Sequence, residues 1–380
     1  MAKLAFNQNH LNDKDTINYG SYYTPAKIID LVYELLEKNI TDINHYFIVD
    51  TSCGYGNFLK NNNACLGADI DIIALQTAKQ NYPNCKFYNH NSLQNVSRSQ
   101  YNLYKNNKVI IVGNPPYNDV TSIIRNEIKT GLFAIDDDLK MRDLGMSFLL
   151  SYNKLSADFI CVLHPLSYLI KKANFNALKA FNDNYRLIDG VVISSGEFSR
   201  TSKITQFPII IALYEKSPFG MSYKFICGYQ FKTSDGKNFK LNQFDRIDNY
   251  ITKYPNQKKV DIKDAVAFFW TMRDINALKR TKTFIEKEVY NSIRIPKSKF
   301  AYYCYADIFK DYIKHVPYYF GNSDIMINND KFEKIKDAFI VESLQKHSFL
   351  SYCEKLNITL NYDFMIGDYF KELLGRHYVD

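Results

Sequence analysis

The stretch Val109-Ile110-Ile111-Val112-Gly113-Asn114-Pro115-Pro116-Tyr117 joins an apolar run to a stiff polar loop. The run is long enough for one buried strand, and the tetrapeptide after it lies where open α/β sheets bind their ligands. Each proline fixes φ and removes a backbone donor, and the residue before each proline avoids the helical region. The sequence therefore predicts an extended loop whose carbonyls point outward, flanked by an amide and an aromatic ring.

Such a loop suits a flat substrate that carries an amino group. Asn114 Oδ1 and the Pro115 carbonyl can both accept hydrogen bonds from the amine, and Tyr117 can stack on the ring. The alternative is a strand-ending turn with a surface tyrosine, because Pro and Asn are common turn residues. The segments upstream of the loop favour the first interpretation.

Short strands alternate with helices through the first half of the chain. Helical spacing of apolar residues runs through residues 27–38, 73–81, 147–155 and 175–181. Strands are predicted at residues 46–50, 64–70, 85–88, 109–113, 159–163, 187–193 and 208–214. This alternation predicts an α/β fold with a doubly wound, mostly parallel sheet.

Polar signals follow the first three strands. Residues 47–58, FIVDTSCGYGNF, predict a strand, an acidic residue and a loop with two glycines, which allow close backbone approach to a ligand. The third glycine of a dinucleotide fingerprint is absent. The next strand ends at Asp69, which can bind a ribose hydroxyl pair, whereas Asp71 can begin the following helix. After the third strand, the Asn91 amide can read an adenine edge.

The C-terminal part has a different pattern. Residues 215–220, EKSPFG, are expected to form a linker, and beyond them lie Tyr/Phe-rich and Lys-rich segments without alternating strands and helices. We therefore expect two domains, residues 1–215 and a less regular α+β domain at 216–380. The net charge is +8, and residues 279–299 hold seven basic and two acidic side chains. A basic patch suits a polyanion, although a solvated helix face would look the same.

Composition narrows the class of protein further. The seven cysteines include no CxxC pair, which argues against a zinc site and against a disulfide framework, so a reducing, cytoplasmic setting fits best. The first ten residues, MAKLAFNQNH, lack the apolar core of a signal peptide, and no apolar stretch reaches the length of a membrane span. We expect no metal and no membrane partner.

The motifs together resemble those of the S-adenosylmethionine-dependent amino-methyltransferases, in particular the gamma class of N6-adenine DNA methyltransferases from restriction–modification systems. The likeness covers about residues 20–216 and is only architectural beyond them. Residues 20–25, GSYYTP, match the family's early motif ending in Thr-Pro, and the glycine loop and NPPY follow in the family's order. The resemblance implies a seven-stranded class I methyltransferase sheet and a C-terminal target-recognition domain.

The resemblance also implies a set of cofactor contacts. Thr24 and its neighbours would contact the methionine moiety, Asp50 and residues 53–56 would wrap the methionine and ribose, and Asp69 would bind the ribose hydroxyls. The full set is Tyr23, Thr24, Pro25, Asp50, Thr51, Cys53, Gly54, Gly56, Asp69, Ile70, Asn91, Ser92, Asn114 and Phe148. Asn91 stands where the family usually has Asp, so it would accept from the cofactor's adenine without a charge. Cys53 is expected to be a packed thiol without chemistry.

The catalytic residues implied are Asn114, Pro115, Pro116, Tyr117 and Phe198. Residues 196–200, GEFSR, match the family's eighth motif, in which an aromatic ring covers the second face of the target base. Phe198 is therefore the expected partner of Tyr117, and Phe207 is the reserve because the following loop is longer than usual. Phe148 would pack on the cofactor adenine, or would simply be a core residue of its helix.

The function implied is sequence-specific methylation of N6 of a flipped-out adenine in duplex DNA, which protects sites in a restriction–modification system. The protein would act in the bacterial cytoplasm at the nucleoid, and a separately encoded restriction endonuclease is a candidate partner. Basic side chains are the candidates for DNA contacts: Arg125, Lys129, Lys279, Arg280, Lys282, Arg294, Lys297 and Lys299.

Three alternatives stay open at this point. A methyltransferase of structured RNA or of protein glutamine can share the glycine loop and NPPY. A DNA-binding subunit with a non-catalytic methyltransferase fold would share the architecture, although NPPY with Asp50 and Asp69 argues against it. N4-cytosine methylation is a narrower rival, and Asn rather than Ser at position 114 favours adenine.

Overall fold

The computed structural model describes residues 24–59, 64–117, 134–198, 206–255, 260–350 and 362–380. The chain forms two compact units, Met1–Lys240 and Leu241–Asp380. The first unit is built around a large mixed sheet with helices, and the second combines small sheets with longer helices. The predicted α/β class is confirmed for the first unit, and the second is α+β.

The elements of the first unit follow the predicted alternation. In chain order they are α1 (Ala26–Asn39), β1 (Phe47–Asp50), β2 (Cys65–Asp69), α2 (Ile72–Asn81), β3 (Lys86–Asn89), β4 (Val109–Gly113), α3 (Leu144–Leu155), β5 (Phe159–Pro165), α4 (Ser167–Ile170), α5 (Lys172–Ala177), α6 (Lys179–Asn182), β6 (Tyr185–Ser194), β7 (Pro208–Lys216), α7 (Tyr223–Gly228), β8 (Phe231–Thr233) and β9 (Asn238–Phe239). The helix predicted at 175–181 is instead divided into α5 and α6, because Leu178 between them has a non-helical ψ of 24°.

The nine strands of this sheet lie in the order β3-β2-β1-β4-β5-β7-β6-β8-β9. Pairing is parallel from β3 to β5, whereas β7 runs antiparallel to both β5 and β6. The chain leaves β1 for β2 on one side and returns to β4 on the other, which makes the β1–β4 junction the topological switch point. Ligands of open α/β sheets bind in the crevice at this point, outside the carboxyl ends of the strands.

The apolar face of α1 that the sequence predicts is buried in the structure. Ile28, Val32 and Leu36 are at most 1% exposed and belong to the same core cluster as Ile110 and Val112 of β4. All five residues of β4 are buried, as expected for a central strand of a sheet covered on both faces. The core therefore fixes where β4 ends and where the NPPY loop begins.

The first unit extends beyond the boundary predicted at residue 215. The strand β8 pairs in parallel with β6, and β9 pairs with β8, so residues up to Lys240 belong to the first sheet. Asp189 of β6 is 4% exposed and forms ion pairs with Lys38 of α1 and Lys232 of β8. These ion pairs of Asp189 hold β8 in the sheet. No local apolar pattern in the sequence predicts them.

One cysteine pair departs from the expectation of free thiols. Cys65 at the start of β2 and Cys85 just before β3 are joined by a disulfide, with Cα atoms 4.8 Å apart. Parallel pairing of β2 with β3 brings the two strand starts within the range that a disulfide needs. The free thiols Cys53, Cys161 and Cys304 are buried.

The second unit begins with short strands and ends with three helices. Its elements are β10 (Asp245–Arg246), β11 (Ala265–Trp270), α8 (Ile275–Arg280), β12 (Phe284–Ile285), β13 (Ser292–Pro296), α9 (Phe300–Tyr312), β14 (Met326–Ile327), α10 (Asn329–Lys346) and α11 (Tyr362–Leu374). The strands form a pair, β10-β14, and a three-stranded sheet, β12-β11-β13. Tyr305 of α9 contacts Phe332, Phe339 and Phe370, so an aromatic core joins the three helices. In the described part of the chain, no helix is both long and apolar enough to span a bilayer.

Replacing Asp189 by Asn tests how the sheet extension is held. Burial alone would raise the pKa of Asp189, but hydrogen bonds from Lys38 and Lys232 outweigh burial and hold the pKa at about 2. Because this value lies below the pKa of about 4 in the unfolded chain, the carboxylate stabilises the fold above that pH and loses its effect towards pH 2. Asp189→Asn should lower the free energy of unfolding by about 2 kcal/mol at pH 7 and by about half as much at pH 3.

Urea unfolding at the two pH values measures this difference. An equal loss of stability at pH 7 and pH 3 would contradict the role given to the charge of Asp189.

Candidate active site

The glycine loop after β1 is fastened to the end of β2. Gly54 and Gly56 have φ of +50° and +80°, which suit glycine, and a Cβ at Gly56 would lie 3.0 Å from the Tyr82 ring. The Gly54 N–H donates to Asp69 Oδ2 at 2.8 Å, and the Asp71 N–H donates to Asp69 Oδ1 at 2.9 Å. Burial raises the pKa of Asp69. The structure thus brings the predicted ribose ligand and the predicted loop together.

Asp71 takes the structural role that the sequence offered as an alternative. Its side chain accepts from the N–H groups of Ile73 and Ala74 at 2.9 and 3.1 Å, which caps the N-terminus of α2. Asp69 is therefore left as the acidic residue at the strand end.

Asp50 lies at the switch point between β1 and β4 and is 1% exposed. Its Oδ1 accepts from the Ser52 N–H at 3.1 Å, and its Oδ2 has no hydrogen-bond partner among the described residues. Burial raises the pKa of Asp50 to about 8, against the opposing hydrogen bond from Ser52. A buried carboxyl oxygen without a partner is costly, and a ligand that brings a positive charge or a donor would satisfy it.

Gly113 joins Asp50 to the NPPY loop. It has φ of +147°, and a Cβ built on it would lie 2.8 Å from Asp50 Oδ1. Any other residue at this position would collide with the carboxyl group. The backbone that leads into Asn114 therefore lies directly against Asp50.

Asn114 is oriented from two sides. Its Nδ2 donates to Thr24 Oγ1 at 3.1 Å, and its Oδ1 accepts from the Tyr117 hydroxyl. Thr24 is buried just before α1, and Pro25 supplies the first carbonyl of that helix, so the Thr-Pro motif positions the amide. No N–H of the described residues donates to the Pro115 carbonyl. Two consecutive residues of the loop thus offer acceptors: Asn114 Oδ1, engaged by Tyr117, and the Pro115 carbonyl, which has no backbone donor among the described residues.

The ring of Tyr117 packs against the start of α3. A Cβ at Gly145 would lie 3.1 Å from Tyr117 Cδ1 and 2.6 Å from the Tyr168 hydroxyl. The sequence analysis named Phe148 of α3 as a candidate but missed Tyr168, which lies in α4. The glycine at position 145, in the first turn of α3, was the available signal for this close approach.

The polar side chains of the loop after β3 form hydrogen bonds within the chain. The Asn91 Nδ2 donates to the Ala134 carbonyl at 2.6 Å, and its Oδ1 accepts from the Leu93 N–H at 2.9 Å. The Ser92 hydroxyl donates to the Thr51 carbonyl at 2.6 Å and accepts from Tyr101 at 3.0 Å. Ser92 and Thr51 thereby join the β1 and β3 loops, whereas Asn91 keeps acceptor capacity on its oxygen for an adenine amine.

The apolar candidates differ in exposure. Ile70, directly after Asp69, is 38% exposed, which suits a surface that receives a planar ring. Phe148 of α3 is 7% exposed and packs near Tyr152, and Cys53 is 5% exposed with its pKa raised by burial. Cys53 lies in the loop as a packed thiol, in agreement with the expectation.

Phe198 is buried in the core of the first unit and is 2% exposed. A ring that covers a target base must present a face to solvent when the site is empty, so Phe198 can play that part only by leaving the core. Phe207 is partly buried against the same cluster and is the more accessible of the two. Which of the two rings would cover the second face of a base stays a prediction.

The basic candidates in the second unit have different surroundings. The guanidinium of Arg294 is engaged by Glu288 at 2.7 Å and by the Val260 carbonyl at 3.0 Å, which compensates its charge. Lys299 lies over the Tyr302 ring, 5.4 Å from its centroid. The exposed candidates at the surface are Lys279, Arg280, Lys282 and Lys297. Tyr23, Arg125 and Lys129 lie outside the described residues.

Comparison with known proteins gives only distant likenesses. No model of a known protein family matches the chain, and no curated protein matches it in sequence. A type I restriction–modification methyltransferase subunit from Streptococcus thermophilus is 16% identical with a TM-score of 0.41, over 59% of this chain and 48% of that one. DrdV in complex with DNA is 14% identical with a TM-score of 0.39, over 61% of this chain and 29% of its own.

A third structure, from Pyrococcus horikoshii and provisionally classed as an RNA methyltransferase, is 13% identical with a TM-score of 0.35, over 53% of this chain and 88% of that one. The chain thus spans about half of the S. thermophilus subunit and less than a third of DrdV. Likenesses at this level concern the sheet and not the substrate.

The pKa of Asp50 gives a direct test of ligand binding at the switch point. At pH 7 a carboxyl group with a pKa of about 8 is mostly protonated. A cationic ligand beside Asp50 favours the ionised form, so binding of S-adenosylmethionine should release close to one proton from this group at pH 7. Calorimetric titration in buffers of different ionisation enthalpy measures the release.

The matched control is Asp50→Asn, which keeps the size of the side chain but cannot titrate. Its binding enthalpy should lose most of the buffer dependence. A wild-type binding enthalpy that does not depend on the buffer would contradict the assignment.

Proposed function

We propose that the chain is a DNA methyltransferase that transfers a methyl group from S-adenosylmethionine to N6 of an adenine flipped out of duplex DNA. The observation that carries the proposal is the Asn114 amide, held by Thr24 at the end of β4 beside the buried carboxyl group of Asp50. The carbonyl of the next residue, Pro115, would supply a second acceptor. Two adjacent acceptors match the two hydrogens of an exocyclic amine.

The residues present fit S-adenosylmethionine as the methyl donor. Asp50 offers a buried, unsatisfied oxygen, the glycine loop allows close backbone approach, and Asp69 lies at the end of the neighbouring strand. Ile70 offers an exposed apolar surface for the adenine ring. When bound, the sulfonium compound supplies an electrophilic methyl group.

The chain's own part in the reaction is to position the amine. The lone pair of an adenine amine is delocalised into the ring, so the amine is a weak nucleophile. Hydrogen bonds from its two hydrogens to Asn114 Oδ1 and the Pro115 carbonyl favour a pyramidal nitrogen and direct the lone pair. No strong base is needed, because the nitrogen loses its proton after it has become cationic. Positioning and electrostatics carry the rate.

Tyr117 has to give way when the amine arrives. In the structure its hydroxyl donates to Asn114 Oδ1, the same acceptor that the target amine needs. Release of this bond frees the acceptor and lets the ring stack on the base, where its π-face favours positive charge. A base in a duplex reaches the site only by flipping out, at a cost of a few kcal/mol.

The second unit would bind the duplex. Its exposed basic side chains can contact phosphates, which supply affinity but no sequence information. Protection of sites against a separately encoded endonuclease is the biological role that this activity would serve.

Asn114→Ala should abolish methyl transfer while DNA binding is kept, because the substitution removes an acceptor and no basic side chain. Incorporation of tritiated methyl groups into duplex DNA measures transfer, and fluorescence anisotropy measures binding. Asn84→Ala, at an exposed position after α2, is the matched control and should behave like the wild type.

Two results would count against this mechanism. One is full transfer by the Asn114→Ala variant. The other is transfer by the wild type to RNA or to protein but not to DNA.

A further inference from the structure

The carboxylate of Asp143 lies at the start of α3, and two donors among the described residues hold it in place. The Gly145 N–H donates to Asp143 Oδ1 at 3.0 Å, and the Tyr168 hydroxyl donates to the same oxygen. The N-terminus of a helix favours a negative charge, so this position suits the ionised form of Asp143. No sequence motif singled out Asp143 or Tyr168.

Gly145 brings this carboxylate next to the NPPY loop. A Cβ built on Gly145 would lie 2.6 Å from the Tyr168 hydroxyl, 3.1 Å from Tyr117 Cδ1 and 3.3 Å from Asp143 Oδ1. Three groups from three elements therefore converge on one point, and a side chain at position 145 would separate them. The Asp143 carboxylate and the Tyr117 ring share this wall of the site.

The ring of Tyr168 packs against a buried histidine. The ring of His164 stacks on Tyr168 with centroids 5.2 Å apart and an angle of 9° between the planes. His164 is 0% exposed, its Nε2 bonds to the Tyr214 hydroxyl at 2.7 Å and its Nδ1 to the Pro165 carbonyl at 2.9 Å. Burial lowers the pKa of His164 to about 4, so the imidazole is neutral at pH 7. His164 therefore orients Tyr168 without adding a charge that would offset Asp143.

The Tyr117 hydroxyl marks where a target amine would lie. It donates to Asn114 Oδ1, as the amine would, so the phenol oxygen stands close to the position of the reacting nitrogen. Burial, Tyr152 and then Asp143 raise the pKa of Tyr117. The negative charge of Asp143 therefore acts electrostatically on the Tyr117 hydroxyl.

Charge moves towards that nitrogen during the reaction. The nitrogen lone pair forms the new N–C bond, the electron pair of the broken C–S bond stays on sulfur, and the positive charge passes from sulfur to nitrogen. The proton leaves the nitrogen afterwards to water. A fixed negative charge beside the nitrogen stabilises the transition state more than the neutral amine of the ground state.

We propose that the Asp143 carboxylate, held by Tyr168 and the Gly145 N–H, stabilises the positive charge that develops on the methylated nitrogen. The proposal rests on the proposed function, because it concerns the same site and the same reaction. It adds a residue for which no family motif provides a role, and it assigns Tyr168 and His164 to positioning that residue.

Asp143→Asn separates charge from geometry. Asn can cap α3 and accept from Tyr168 through its carbonyl oxygen, so the fold and the wall of the site are preserved. We expect kcat to fall roughly 10- to 100-fold, with KM for DNA changed less than about 3-fold. Tyr168→Phe keeps the ring but frees the carboxylate, and kcat should fall by a smaller factor.

Docking of the target base can be measured separately from methyl transfer. Fluorescence of 2-aminopurine at the target position, in the complex without cofactor, should rise equally for wild type and Asp143→Asn. Asp136→Asn is the control, since the Asp136 carboxylate accepts from the backbone N–H groups of Asn95 and Val96, whereas Tyr168 donates to Asp143. Its kcat should equal that of the wild type.

The outcomes distinguish the inference from the proposed function. Wild-type kcat in Asp143→Asn, with normal 2-aminopurine fluorescence, overturns the inference and leaves the function intact. Loss of both kcat and fluorescence also overturns it, because Asp143 would then serve base docking. A wild type that neither methylates DNA nor changes the fluorescence would remove the proposed function itself.

Discussion

The carboxyl group of Asp50 is buried where β1 and β4 end side by side, and Gly113 is the residue that makes room for it. This contact fixes the distance between the glycine loop and the NPPY loop, because each leaves its strand at the same edge of the sheet. The crossover from β1 to β2 on one side and to β4 on the other creates this edge. A ligand bound by the glycine loop would therefore lie beside a substrate held by the NPPY loop.

The electrostatics of the site follow from the same arrangement. Asp50 is mostly neutral at pH 7 in the free chain, and a cationic methyl donor would ionise it. Asp143 at the start of α3 meets the Tyr117 ring at Gly145, and in the proposed reaction its negative charge would act on the nitrogen that receives the methyl group. Positive charge would then pass between two carboxyl groups. In the proposed reaction, Tyr117, which is hydrogen-bonded to Asn114, would occupy the position of the amine until the base enters.

Much of the first sheet and several residues of the candidate site were predictable from the sequence, because the relevant signals are local. The apolar runs predicted β1 to β7 within two residues at each end but not β8 or β9, and the polar residues at the strand ends pointed to Asp50, Asp69 and Asn114. The sequence did not show contacts between distant segments, such as the Asp189 ion pairs that hold β8 or the convergence of Tyr168 on Gly145. The motif that named Phe198 also carries no information about burial, and Phe198 is 2% exposed.

The most direct test identifies the methylated atom. Duplex DNA is incubated with the purified chain and isotopically labelled S-adenosylmethionine. The DNA is then digested to nucleosides, which are separated and identified by mass spectrometry. The account predicts label in N6-methyladenine and in no other nucleoside. Label in N4-methylcytosine, or label found only when RNA or protein replaces the DNA, would contradict it.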